Sequence, residues 1–177
     1  WDGSSRVKDV DFIEISTLGN AQSFGDLTVA REGCGRGTTS SAIRGISMAG
    51  WDGSGTNEID TSSGKLILDY LTIASEGDSI DFGDATDARG WGGGMSSSTR
   101  GLLAGGYNPS TVNIIDYVEI MTLGNALDFG DLITAKESTV GMASPTRGII
   151  GPGMSPSFTS EIDFITIASK GNTTIFG

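Results

Sequence analysis

The sequence predicts an all-β protein built from a repeated four-stranded unit, and three observations support this fold class. A five-residue segment that begins with aspartate occurs four times, at residues 11–15, 69–73, 116–120 and 163–167. Each copy is followed by a Gly-Asn or Gly-Asp pair and then by Phe-Gly. The apolar segments are short, rich in β-branched and aromatic residues, and free of any helical period.

The spacing of the shared aspartate gives the length of the unit. Asp69, Asp116 and Asp163 follow one another at intervals of 47 residues, from 69 to 116 and from 116 to 163. The interval before Asp69 is longer because residues 26–44 and 51–69 contain insertions, and we expect both to be surface loops. A fixed period predicts a supersecondary unit whose faces are covered by its neighbours.

Each unit is predicted to contain its elements in a fixed order. Clusters of serine and threonine at 38–41, 96–99 and 144–146 are interpreted as the loop that leads into a strand beginning with Arg-Gly. In one unit this strand covers Gly101 to Tyr107 and the next covers Ile114 to Ile120. The Gly-Asn pair then predicts a tight hairpin turn before the last strand, which carries Phe-Gly.

Four short strands in about 47 residues correspond to one blade of a β-propeller. The chain is predicted to be a single domain, 1–177, with a partial repeat at 1–50, repeats at 51–106 and 107–153, and a half repeat at 154–177. Closed propellers have four to eight blades, more than the three and a half repeats present here. We therefore expect either a longer chain or a ring assembled from several copies, and we favour the longer chain.

The repeat resembles a known family. The segment Arg100 to Tyr107, followed by Asp116-Tyr117, Phe129, Leu132 and Ala135-Lys136, resembles the kelch repeat. Phenylalanine replaces the usual tryptophan of the fourth strand, and the Gly-Gly of the family is absent from two of the copies. The segment that joins Gly-Asn to Phe-Gly is more similar to the kelch-like repeats of tailed-phage virion proteins, particularly those of phages that infect marine bacteria.

This resemblance implies a kelch-like β-propeller that acts as a non-enzymatic structural and interaction module. It implies a place in the virion, in a fibre, tail or neck decoration, where loops face another virion protein or a host surface glycan. Other virion or fibre proteins, and the chain itself, are the implied partners. Two alternatives stay open: a cellular extracellular or filament-forming propeller protein, and a propeller glycosidase.

The net charge and the length of the apolar segments argue against two classes of partner, nucleic acids and membranes. The chain has 11 Lys and Arg against 22 Asp and Glu, and its net charge is −11. Nucleic-acid binding is not expected, because phosphate recognition depends on clustered basic residues. We also expect no membrane insertion, because no apolar segment is long enough to span a bilayer.

Little in the sequence supports catalysis, and we expect neither enzymatic activity nor a cofactor. The chain contains no histidine, which removes Ser-His-Asp and Cys-His chemistry from this segment. The single cysteine, Cys34, lies near Arg31 and Arg36 in the sequence, but it has no histidine partner and is interpreted as a loop or buried thiol. A glycosidase would need two carboxylates in one pocket.

The acidic residues instead recur with the repeat, and we expect them to hydrogen-bond nearby backbone in turns. Recurring aromatic and glycine positions are likewise interpreted as structural. The residues that define the repeat are Asp11, Asp69, Asp116, Asp163, Phe24, Phe82, Phe129, Phe176, Gly50, Gly106 and Gly153.

Two groups of loop residues remain as candidate binding sites. The inserted loop carries alternating oxygen side chains at Asp52, Ser54, Thr56 and Glu58, a weak candidate for calcium against a solvated loop. Aromatic rings next to turns are candidate contacts for another surface or a glycan, since flat rings stack on sugar faces. These rings are Trp51, Trp91 and Tyr107, and the alternative for them is packing between blades.

Overall fold

The computed structural model describes residues 5–50, 67–107 and 109–177. These residues form antiparallel β-sheets with a single 3-10 turn, η1 (Gly35–Gly37), which confirms the all-β prediction. Sheet 1 is β1 (Asp9–Phe12) and β2 (Gln22–Asp26). Sheet 2 is β3 (Thr38–Ser40), β4 (Arg44–Met48), β5 (Ile67–Thr72) and β6 (Ile80–Asp84).

The second half of the chain repeats this arrangement. Sheet 3 is β7 (Gly93–Ser96), β8 (Arg100–Ala104), β9 (Ile114–Glu119) and β10 (Leu127–Asp131). Sheet 4 is β11 (Gly141–Ala143), β12 (Arg147–Ile150), β15 (Asp163–Thr166) and β16 (Thr174–Ile175). A small hairpin of β13 (Met154–Ser155) and β14 (Ser157–Phe158) precedes β15.

The strands of each sheet pair in the order in which they occur in the chain, as a meander, and in sheet 4 the β13–β14 hairpin is inserted between the paired strands β12 and β15. The sheets are offset from the repeats defined on the sequence, because the first two strands of a sheet come from one repeat and the last two from the next. Sheet 1 is a pair that corresponds to the last two strands of the other sheets. No strand pairing joins sheet 4 to sheet 1, so the described residues show no closed ring.

The predicted loop before each Arg-Gly strand is present, but two of the three serine-rich segments also contain strand residues, which the sequence interpretation did not expect. Residues 38–40 form β3, and Ser96 ends β7. Residues 97–99 and the whole of 144–146 lie between strands. In each turn the hydroxyl oxygen of Ser41, Ser97 or Ser144 accepts a hydrogen bond of 3.1 Å from the backbone N–H three residues later. The serine thus closes the hairpin before each Arg-Gly strand.

The predicted tight turn at Gly-Asn is wrong. The connection from β5 to β6 is a loop of residues 73–79 rather than a tight turn. The glycine in this loop does not close its own hairpin. Its N–H donates instead to the preceding sheet, from Gly77 to the Phe24 carbonyl at 2.8 Å and from Gly124 to the Phe82 carbonyl at 2.9 Å. This contact, which we call the rim contact, recurs from Gly171 to Phe129 at 2.9 Å.

Neighbouring sheets pack face to face through apolar side chains. The front of sheet 2, with Ile46 and Phe82, lies against the back of sheet 3, with Val118 and Ile120. The front of sheet 3 meets the back of sheet 4 in the same way. That second core contains Met95, Leu102, Tyr117, Phe129, Ile150, Ile165 and Ile167.

An edge-to-face aromatic pair recurs on the front of every sheet. The ring on the third strand meets the phenylalanine of the Phe-Gly segment, with centroids 5.9–6.2 Å apart. The pairs are Phe12–Phe24, Tyr70–Phe82, Tyr117–Phe129 and Phe164–Phe176. This recurrence explains why an aromatic residue returns at both positions in each repeat.

The first strands of sheets 2, 3 and 4 lie next to one another on the inner side of the array. A Cβ atom at Gly94 would overlap the backbone of Thr38, and one at Gly141 would overlap the backbone of Gly94. Glycine at these two positions therefore lets the inner strands approach backbone to backbone. No helix in the described residues is long and apolar enough to cross a membrane.

Candidate functional site

Most of the buried charged groups lie at the junctions between sheets. A cation that follows the last strand of one sheet meets the aspartate that recurs on the third strand of the next sheet. The pairs are Arg31–Asp69 at 2.9 Å, Arg89–Asp116 at 3.0 Å and Lys136–Asp163 at 2.9 Å. All six side chains are buried. We call these pairs the junction ion pairs.

The junction ion pair between sheets 2 and 3 shows how the buried charges are satisfied. Asp116 accepts from the guanidinium of Arg89 and from both the backbone N–H (3.1 Å) and the hydroxyl of Thr86. Arg89 also donates to the carbonyl oxygens of Gly105 and Leu103, at 2.9 and 3.4 Å. Buried charges persist only when they are paired and hydrogen-bonded in this way.

The recurring aspartates are thus structural, but not in the manner expected from the sequence. We expected Asp69 and Asp116 to bond nearby backbone in turns, whereas their partners lie 41 and 30 residues away, on Thr28 and Thr86. Asp78 likewise reaches the preceding sheet, where its carboxylate accepts the N–H of Asp26, 52 residues away. A bond to nearby backbone is made by Asp81, which accepts the N–H of Gly83 at 3.2 Å.

Asp11 occupies the equivalent position on sheet 1 and differs from the others. It is exposed, and no cation of the described residues pairs with it. Ile13 and Ile15, which follow Asp11 in the repeated segment, are also exposed, at 63% and 97%. The back of sheet 1 therefore presents an uncovered copy of the surface that is buried in sheets 3 and 4.

A cavity of about 630 Å³ lies between sheet 1 and the inner strands of the other sheets. Val10, Leu27 and Leu71 supply apolar lining, while Asp9 and Asp11 bring two carboxylates from one side of β1. Among the described residues sheet 1 has two strands, where sheets 2, 3 and 4 have four. Such a mixed lining suits a small polar ligand.

The only cysteine, Cys34, also lines this cavity and is partly buried. It directly precedes η1 (Gly35–Gly37), and its side chain does not cap that turn. Cys34 thus lines the same cavity as Asp9, Asp11 and Thr39. No cluster of three or more His, Cys, Asp or Glu side chains with metal-binding geometry occurs among the described residues.

Two of the three candidate binding aromatics come together. The rings of Trp91 and Tyr107 lie 6.1 Å apart at 38°, and both side chains are partly exposed. The pair is positioned by two backbone hydrogen bonds between Gly90 and Tyr107, of 3.2 and 2.9 Å. Trp51, like the calcium candidates Asp52, Ser54, Thr56 and Glu58, lies outside the described residues.

The recurring glycines at the end of the Arg-Gly strand have a shared role. A Cβ atom at Gly50 or Gly106 would press on the carbonyl oxygen of Glu32 or Gly90, at 3.0 and 2.7 Å. Gly153 lies against the Glu137 carbonyl in the same way. Each glycine thus lets the strand end pack on the segment that carries the junction cation.

Glu137 is an acidic site that the sequence interpretation missed. Its side chain is only 4% exposed, and burial raises the pKa of the carboxyl group. The residue at the equivalent position after Arg31 is Glu32, which pairs with Arg6 at 2.7 Å. One carboxylate oxygen of Glu137, by contrast, has no hydrogen-bond partner among the described residues. The sequence feature that could have drawn attention to Glu137 is its position directly after Lys136.

Comparison with known families and with curated proteins found no family model and no relative that matches this chain.

Proposed function

We propose that this chain is a non-enzymatic structural and interaction module built from kelch-like β-propeller blades. The observation that carries the proposal is the series of junction ion pairs. Through these ion pairs the recurring aspartates of three successive units stabilise the packing of the sheets. A buried, salt-bridged carboxylate is unsuited to proton transfer or nucleophilic attack. The array thus holds its loops at fixed positions, as a presenting scaffold requires.

The place we propose for this module is a tailed-phage virion appendage, such as a fibre, tail or neck decoration. The support is the resemblance of the repeated sequence, above all the segment from Gly-Asn to Phe-Gly. The partners are another virion protein or a host surface glycan. For a glycan, the Trp91–Tyr107 pair offers two flat rings at a partly exposed edge of the array.

The test of this place is the detection of the chain in purified particles. Trypsin releases residues 101–136 as one peptide, because no Lys or Arg occurs between Arg100 and Lys136. We expect mass spectrometry to find this peptide in density-purified tailed phage particles. Its recovery from cell-envelope or secreted fractions instead would favour the cellular filament-forming alternative.

The glycan contact is tested separately on a glycan array. We expect Trp91→Ala and Tyr107→Ala to reduce the signal of any bound glycan at least tenfold. The matched control is Phe158→Ala, which removes an aromatic ring that is 87% exposed elsewhere on the chain. Equal loss in all three variants would argue against stacking on the Trp91–Tyr107 pair.

One observation favours the glycosidase alternative, which is the cavity that holds Asp9 and Asp11. These carboxylates, unlike those of the junction ion pairs, are exposed to the space in which a sugar would bind. Release of reducing sugar from a polysaccharide panel, abolished by Asp9→Asn or Asp11→Asn, would support an enzyme. We expect no such release.

A further inference from the structure

We propose that Glu137, together with the Trp91–Tyr107 pair, binds an arginine side chain of a partner protein. The inference rests on the proposed function, because it names the chemistry of a partner that the scaffold would bind. Its basis is a buried carboxylate without a cation, an equivalent carboxylate that already holds an arginine, and two aromatic rings beside the site.

Glu137 is a buried acid that no charged group of the described residues satisfies. Its side chain is 4% exposed, and one of its carboxylate oxygens is buried without a hydrogen-bond partner. The cations of the adjoining segments are already paired, Lys136 with Asp163 at 2.9 Å and Arg89 with Asp116 at 3.0 Å. Because an unpaired buried carboxylate is unfavourable, a cation that reaches Glu137 relieves this cost.

Glu32 occupies the equivalent position after sheet 1 and holds an arginine of its own chain. The guanidinium of Arg6 donates to the Glu32 carboxylate at 2.7 Å. Each of the two acids follows a junction cation whose backbone N–H donates at 3.2 Å to a valine carbonyl, Val7 in one unit and Val112 in the other. The position is therefore suited to a guanidinium.

The residue before the valine differs between the two units. It is Arg6 in the unit of Glu32, whereas it is Thr111 in the unit of Glu137. Threonine carries no charge, so the chain supplies Glu137 with no cation from this position. A cation for Glu137 has to come from a partner.

Thr111 places this site beside the Trp91–Tyr107 pair. Tyr107 and Thr111 lie opposite each other in an antiparallel bridge, so their side chains project from the same face. The Ser138 N–H, next to Glu137, donates to the Trp91 carbonyl at 2.8 Å and joins the two segments. Both rings of the pair are partly exposed, so a ligand can reach them.

A guanidinium suits an acid next to aromatic rings because it is planar and its donors lie in its own plane. Its face stacks on a ring while its edge donates to a carboxylate. Arg100 does both within this chain, since it lies 4.7 Å from the Tyr117 ring and donates twice to Glu119, at 2.8 and 3.0 Å. The same chemistry at Glu137 favours an arginine over the neutral hydroxyls of a sugar.

A ligand must displace a neighbouring side chain to reach Glu137, which is almost fully buried. Met154 is such a neighbour, because it lies opposite Glu137 in an antiparallel bridge. Its side chain is partly exposed, and an unbranched methionine changes rotamer readily. We expect Met154 to move aside on binding, as side chains at interfaces commonly do.

The test is an NMR titration of the isotope-labelled chain with N-acetyl-arginine amide at constant ionic strength. The indole N–H signal of Trp91 reports binding at the ring pair. We expect a saturable shift of this signal with a Kd of about 1 mM, as is reasonable for a single side chain. N-acetyl-citrulline amide, which has the same shape without the charge, is expected to bind at least tenfold more weakly.

Three variants locate the contact. Glu137→Gln removes the charge and is expected to weaken binding of the arginine probe at least tenfold. Thr111→Arg supplies the cation from within the chain, as Arg6 does for Glu32, and is expected to abolish probe binding and to raise the urea midpoint. The matched control is Glu32→Gln, which is expected to leave probe binding unchanged.

Absence of a saturable shift up to about 10 mM probe would overturn the proposal. Equal binding by the native chain and Glu137→Gln, or equal binding of the citrulline compound, would also overturn it. Tighter binding of glucosamine than of the arginine probe would replace the protein partner by an amino sugar. None of these outcomes depends on finding the chain in phage particles, so this inference and the proposed function can fail independently.

Discussion

Replacing Asp116 with alanine is expected to lower the free energy of unfolding by about 3–5 kcal/mol. The substitution removes one half of a buried ion pair whose members are 0% exposed and 3.0 Å apart. It leaves the Arg89 guanidinium without its counter-charge in the interior, and it removes the acceptor of the Thr86 N–H and hydroxyl. An uncompensated buried charge dominates the cost.

The structure supplies a matched control for this substitution. Asp11 occupies the same position in its repeat but is exposed and has no cation partner among the described residues, so Asp11→Ala is expected to change stability by less than about 0.5 kcal/mol. In urea, with a slope of about 2 kcal/mol per M, Asp116→Ala lowers the unfolding midpoint by about 2 M. Tryptophan fluorescence and circular dichroism follow the transition.

The comparison of Asp116→Ala with Asp11→Ala can refute the stabilising role of the junction ion pair. If Asp116→Ala shifts the midpoint no more than Asp11→Ala, the junction ion pair does not stabilise the array. Asp116→Asn separates charge from hydrogen bonding, because it keeps an acceptor for Thr86 while removing the counter-charge of Arg89. A loss with asparagine close to that with alanine would assign most of the effect to charge.

Three further predictions concern other parts of the array. Phe129→Ala is expected to cost about 3–5 kcal/mol, because Phe129 is 2% exposed in the core, whereas Phe176→Ala at 55% exposure costs less than about 1 kcal/mol; urea unfolding of both compares them. Gly130→Ala is expected to lower the unfolding midpoint, because Gly130 has φ of +150° and a Cβ atom there would overlap Gly171. Glu137→Gln is expected to raise stability at pH 7, with the gain vanishing below about pH 4.

The sign of the pH effect follows from linkage. Burial raises the pKa of Glu137 above its usual 4.5, so the folded state binds a proton more tightly than the unfolded state. Stability from this group is present at low pH and is lost as the pH rises through the raised pKa. Unfolding of both proteins at pH 4 and pH 7 measures this, and an unchanged difference between the two pH values would contradict it.

The all-β class and the repeat could be predicted because both depend on local sequence patterns. Short β-rich segments and a constant interval between aspartates suffice for both. Strand order within a sheet also follows, since neighbouring segments pair. The hairpin error at Gly-Asn had a physical cause: Gly77, Gly124 and Gly171 do have positive φ, but the N–H of each donates to the preceding sheet and does not close its own hairpin.

The junction ion pairs could not be predicted, because their partners lie far apart in the sequence. Arg31 and Asp69 are brought together only when two sheets stack, and nothing near Arg31 indicates which acid it will meet. The Trp91–Tyr107 pair and the burial of Glu137 likewise depend on how separate segments pack. Aromatic and acidic residues could be named as candidates from the sequence, but the residues that contact them are known only from the fold.

The rim contact has a consequence for the curvature of the array. Sheets 2 and 3, and likewise sheets 3 and 4, are attached along two separate lines, one where the inner glycines let backbones touch and one where a glycine N–H meets a phenylalanine carbonyl at 2.9 Å. A hinge turns about a single line of contact, and a second line fixes the angle. The bend between units is therefore set by the main chain, so loop sequences can diverge without altering the arc that successive units trace.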